Sequence, residues 1–133
     1  MEGTGPDSTQ GNVENNSQEI ATAMRLASEY PSIVKAIAVG NEAMVQWAVT
    51  YFVYSKTILY GSITYLQTAK ASDALTSDVL ITSSDNYESW RGGNPICHTE
   101  ELTELMRAVD FISVHTYPFH DFFIIPCSGG VLP

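Results

Sequence analysis

Apolar and polar positions alternate between two periods along this chain, and the change of period marks the elements. Ile20, Ala23, Met24 and Ala27 recur at i, i+3, i+4 and i+7, one apolar helical face. Asn16 precedes that face as an N-cap, with Glu19 three residues on completing a capping box. Tyr30-Pro31-Ser32 stops the helix, and the almost wholly apolar run Ile33–Val39 predicts a strand covered on both faces. Gly40 lets the backbone turn, and Asn41-Glu42 place polar groups at the strand's C-terminal end. Leu59, Ile63 and Leu66 mark a second amphipathic helix ending near Ser72-Asp73. The β-rich run Val79-Leu80-Ile81-Thr82 follows and ends in Ser83-Ser84-Asp85-Asn86. Thr99 caps a third helix, with Glu100 and Glu101 favouring its dipole and Leu102, Leu105, Met106 and Val109 as its buried stripe. Phe111-Ile112-Ser113-Val114 is the last strand, running into His115-Thr116-Tyr117-Pro118.

Three strands alternating with single helices predict an α/β fold with a parallel sheet. In such a sheet Glu42, Asp85, Asn86, His115 and Tyr117 emerge together beyond the strand ends. Residues 1–15, rich in Gly, Asn, Thr, Ser and Asp, read as a flexible lead-in. Ala43 to Lys56 has the length of a loop over a site or of a core helix turn. A further loop carries Tyr87, Trp90 and Arg91.

Composition narrows the partners. Six basic residues against fifteen acidic ones give a net charge of −9, which argues against nucleic acid or an anionic membrane and suits a neutral substrate. No stretch approaches the ~20 apolar residues of a membrane span, and Met1–Asp7 lacks the basic and apolar regions of a signal peptide. Cys97 and Cys127 read as two unrelated thiols. His115 and His120 lack metal-ligand spacing, so no metal or other cofactor is expected.

The segments Glu29–Glu42, Ile81–Trp90 and Ile112–Phe119, which include Val39-Gly40-Asn41-Glu42 and His115-Thr116-Tyr117-Pro118, resemble the microbial branch of glycoside hydrolase family 17, the β-1,3-glucanases. With the intervening helices the resemblance covers roughly residues 16–121. It implies a partial (β/α)8 barrel, its fourth to sixth strands, and a β-glucan substrate cleaved with retention. Asn41-Glu42 matches the family's acid/base motif, and Tyr117 an aromatic residue beside the nucleophile. The family nucleophile, a glutamate after strand seven, has no counterpart here, and the tail 122–133 departs from the family pattern. The chain thus reads as the middle of an enzyme, inactive by itself.

Glycosidic cleavage needs a proton donor for the leaving oxygen, which is the expected role of Glu42; the alternative is a capping or solvated carboxylate. Asn41 suits a donor to the sugar 2-hydroxyl. Asp85 and Asn86 suit hydrogen bonds to a subsite, or ordinary turn formation. Trp47, Tyr87 and Trp90 suit stacking on a pyranose or simple packing, with Trp90 the preferred platform. His115 on a buried strand reads as a satisfied core histidine or a group supporting the site. A transglycosylase using the same carboxylates, a non-catalytic carbohydrate-binding remnant and a functionless gene fragment stand as alternatives.

Overall fold

A computed structural model describes residues 10–44, 56–91 and 100–116, with the backbone alone at 10–12 and 56–58. The order is α1 (Gln10–Glu29), β1 (Ala36–Asn41), α2 (Lys56–Ala71), β2 (Leu80–Asn86), α3 (Tyr87–Arg91), α4 (Glu100–Ala108) and β3 (Ser113–His115). The three strands form a parallel sheet in the order β1-β2-β3. The expected α/β alternation is therefore present, and all three C-terminal strand ends lie along one edge.

The first helix begins earlier than its capping signal implies. It runs through Asn16 and takes in residues 10–15 of the expected lead-in. A cap contributes only about 1 kcal/mol, whereas each residue added to an existing helix gains a backbone bond. Ser17 accommodates this by returning its hydroxyl to the Val13 carbonyl at 2.8 Å. Of the predicted face, Ala27 is buried and Ile20, Ala23 and Met24 pack partly against the core.

At the other end, the amides of Ile33 and Val34 both donate to the Tyr30 carbonyl, at 3.0 and 2.9 Å. That turn removes Ile33 from the predicted strand and leaves it 75% exposed. β1 starts three residues later, with Ile37 and Val39 buried and the intervening Ala38 only half-buried. Its two faces are thus unequally covered, against the expectation of full cover on both. The last strand is also shorter than predicted, because Phe111 and Ile112 lie ahead of β3.

Leu59, Ile63 and Leu66 fall on one stripe of α2, which packs on β1, β2 and α4. Leu102 and Leu105 of α4, with no exposure, meet that helix layer. Thr99, the expected α4 cap, lies outside the described residues. Asp110 ties the α4 end to the sheet, its amide donating to the Ile81 carbonyl at 2.8 Å and its Oδ2 accepting the Ile81 amide at 2.7 Å.

The β1–β2 register carries one irregularity. Ala38 pairs with Thr82 but Asn41 pairs with Ser84, so β1 holds one extra residue over that interval, a bulge. Gly40 sits within it at φ 78°. A Cβ there would lie 2.9 Å from Leu59 Cδ2 and 3.0 Å from Ala43 Cβ. Both the left-handed backbone and the close approach of α2 require glycine.

Candidate functional site

The bulge delivers Glu42 to the end of β1 in an uncommon conformation, φ 48°. A non-glycine residue holds that region only when its surroundings fix it. Two bonds from β2 do so. The Glu42 amide donates to the Ser84 carbonyl at 2.8 Å, and the Met44 amide donates to Asp85 Oδ2 at 2.7 Å. The backbone on both sides of the Glu42 side chain is thereby attached to the neighbouring strand.

The side chain then reaches across the sheet. Glu42 Oε1 lies 3.1 Å from His115 Nδ1 at the end of β3. His115 Nε2 lies 2.8 Å from Ser84 Oγ, which is 3.0 Å from Ser113 Oγ. Ser84 is paired with Ser113 in the β2–β3 register, and His115 is two residues further along the same face of β3. Side chains from three strand ends therefore form one connected polar group. Both Glu42 and His115 are about a quarter exposed, 24% and 26%, so the group is reachable from solvent.

Asp85 and Asn86 stand at the right strand end but are turned inward. Asp85 has no exposure, and its Oδ1 accepts the Asn86 amide at 2.8 Å while Oδ2 holds Met44. Burial pushes the Asp85 carboxyl above its ordinary value, against the lowering effects of the Met44 amide, Ser89 and the Asn86 amide; the Glu42 charge adds to the rise. Asn86, 7% exposed, accepts the Ser89 amide at 2.9 Å and so caps α3. The turn-forming reading of these two residues describes them better than direct sugar contact.

Trp90 is likewise corrected. The segment after β2 is a short helix, not a loop, and Trp90 is 3% exposed within the core. Its indole N–H donates to the Ser113 carbonyl at 2.9 Å, a bond that packing alone explains. It offers no free ring face to a sugar, whereas Tyr87 is 48% exposed. Asn41 is exposed beside Glu42. Tyr117, Trp47, both cysteines and the tail lie outside the described residues.

Ser84 and Ser113 were not foreseen as parts of the site. Their signal was the two-residue period: Ser84 and Asn86 on one strand, Ser113 and His115 on the next. Among the described residues no group of three or more His, Cys, Asp or Glu side chains is assembled to hold a metal. No described helix is long and apolar enough to cross a membrane. An open groove between α2 and α4, lined by Tyr60, Gln67, Glu104, Arg107 and Asp110, shares no residue with the strand-end group.

No protein-family model and no curated protein matches the chain. Among solved structures it is similar to the crystal structure of an endo-laminarinase from Formosa Hel1_33_131, with a TM-score of 0.73 and 56% sequence identity. The match covers 81% of this chain and 27% of that one, so the chain spans about a quarter of the length of the enzyme it resembles.

Proposed function

We propose that this chain carries the acid/base portion of a β-1,3-glucan hydrolase. The observation that carries this reading is its 56% identity to an endo-laminarinase, together with a TM-score of 0.73. The finer assignment to glycoside hydrolase family 17, with a (β/α)8 barrel and retention, rests on the sequence resemblance. A parallel α/β sheet with its polar groups at the C-terminal strand ends supports it, since barrels of this type assemble their chemistry there.

In this mechanism Glu42 gives its proton to the glycosidic oxygen as the C1–O bond breaks and the bonding pair stays on that oxygen. A second carboxylate forms a bond to C1. Water then attacks C1, Glu42 takes the water's proton, and the carboxylate leaves with its electron pair. The two carboxyls of such a pair stand about 5–5.5 Å apart. Asp85 is enclosed by its own backbone contacts, and Glu88 pairs with Arg91 at 3.3 Å. The nucleophile is therefore assigned to neither of them, and is proposed to come from outside the described residues.

The test is a chimera in which this chain replaces the matching segment of the endo-laminarinase. The chimera should cleave laminarin. Glu42→Gln should lower turnover by on the order of 100-fold or more, the usual scale of general acid–base catalysis. Aryl glucosides with good leaving groups should lose less in the glycosylation step, because they need little protonation. Full laminarin turnover by the Gln variant would remove Glu42 from this role.

A further inference from the structure

We propose, resting on the glucan-hydrolase reading of Glu42, that Asp85 is a positioning residue for that acid. Its carboxyl group grips the Met44 amide and so holds the left-handed turn from which the Glu42 side chain reaches across the sheet.

The site places a carboxyl group where the backbone favours glycine. Two residues in three are left-handed here, Gly40 at φ 78° and Glu42 at φ 48°. Glycine takes that region freely, whereas the Cβ of Glu42 crowds the following carbonyl and favours a return to negative φ. That return is a rotation about the N–Cα bond, and it would swing the side chain and the chain beyond it away from β3. The rotation is blocked when the backbone is held on both sides of the bond. On the near side the Glu42 amide donates to the Ser84 carbonyl at 2.8 Å. On the far side the Met44 amide donates to Asp85 Oδ2 at 2.7 Å. Consecutive residues of β2 thus supply the two holds, Ser84 with its main chain and Asp85 with its side chain.

Asp85 is itself fixed. It has no exposure, its Oδ1 accepts the Asn86 amide at 2.8 Å, and the Ser89 side chain bonds to the same carboxyl group. Ala43 and Met44, each 5% exposed, add apolar packing beyond the turn. Packing of that kind is not directional, whereas a hydrogen bond sets the direction of the amide that makes it. With the turn held, Glu42 Oε1 stands 3.1 Å from His115 Nδ1. Fully buried, Asp85 acts through Glu42 and not on the sugar.

The first readout needs no glucan. In the full chain labelled with 13C and 15N, the one-bond Cα–Hα coupling of residue 42 separates positive from negative φ. The unsubstituted chain should show positive φ and a Met44 amide protected from exchange. Asp85→Ala should lose both, while the Leu102 and Leu105 amides of α4 stay protected and report an intact fold. Asp85→Asn, which keeps the volume and one acceptor, serves where the alanine variant does not fold. Negative φ at Glu42 in the unsubstituted chain overturns the proposal, and so does positive φ retained in a folded Asp85→Ala.

The second readout uses the chimera. Asp85→Ala should lower kcat/KM on laminarin by on the order of 10–100-fold, the scale of a misplaced catalytic group. On aryl glucosides with good leaving groups the loss should be much smaller, because kcat/KM reports the glycosylation step and that step then needs little protonation. In the Glu42→Gln background Asp85→Ala should cost little more, since the group it aims is gone. A purely structural role lowers the active fraction alike for both substrates and in both backgrounds, and that pattern overturns the proposal. Failure of Glu42→Gln to impair laminarin cleavage would instead remove the acid assignment of Glu42, leaving the coupling at residue 42 to decide whether Asp85 holds the turn.

Discussion

Asp85 shows how a single residue can be polar, adjacent to a site and still directed away from it. Its two oxygens take the amides of Met44 and Asn86, so its work is to hold backbone. Because burial raises its pKa above 3.8, its favourable contribution to stability is fully present below that unfolded value. The contribution is lost as pH rises through the folded-state pKa. Asp85→Asn removes that dependence but can accept only one of the two amides, leaving the other buried donor unmet at a cost of about 1–3 kcal/mol. Urea midpoints measured from acid to neutral pH should therefore show wild type well above the variant at low pH, with the gap narrowing as pH rises. A gap of constant size would show that Asp85 does not titrate differently in the two states. The strand-end position of Asp85 was legible in the sequence. Its orientation was not, because that depends on where the Met44 amide falls after the β1 bulge.

Elements whose faces repeat at helical spacing were the more legible: the α2 stripe and Leu102 and Leu105 of α4 are buried where their periods put them, while Met106 is only partly buried and Val109 lies past the helix end, also partly buried. The errors fall where a local signal competes with a tertiary one. α3 looked like loop because five residues carry no period, and its formation depends on the Asn86 cap and on burial of Trp90 beneath β3. The start of β1 was misplaced because Ile33 and Val34 have strand composition, yet the turn on the Tyr30 carbonyl claims them first. The join of α4 to the sheet gives a second pH dependence, opposite in sign to that of Asp85. Burial alone would raise the Asp110 carboxyl, but the Ile81 amide, Lys70 and Gln67 outweigh it and hold its pKa below 3.8. Its contribution is present above the unfolded value and is lost as pH falls through the folded-state pKa. Asp110→Asn should lower the unfolding midpoint at neutral pH and approach wild type in strong acid. An equal loss at both extremes would assign the effect to shape rather than charge.

Among the described residues, β1 and β3 each have a strand partner on one side only. Ile112 and Val114, about 40% exposed, lie just before and within β3. Unpaired strand edges with apolar flanks promote association, so the 133-residue chain by itself should show a mass that rises with concentration in light scattering and should leave laminarin intact. A monomer at all concentrations would contradict the edge argument, and cleavage of laminarin would show that this chain's own residues supply the second carboxylate. Parallel pairing was legible at this scale from the alternation of strands and helices, while the one-residue slip between Ala38 and Asn41 left no mark in the hydrophobic pattern. That slip has an implication for inheritance. The extra residue makes the bulge, so deleting one residue between Ala38 and Asn41 would close the ladder into regular pairing and remove the left-handed turn through which the backbone delivers Glu42, while leaving Glu42 and His115 in the sequence. The molecule keeps part of its chemistry as a length. A lineage can therefore lose the site through a single in-frame deletion that a comparison of residue identities would score as harmless.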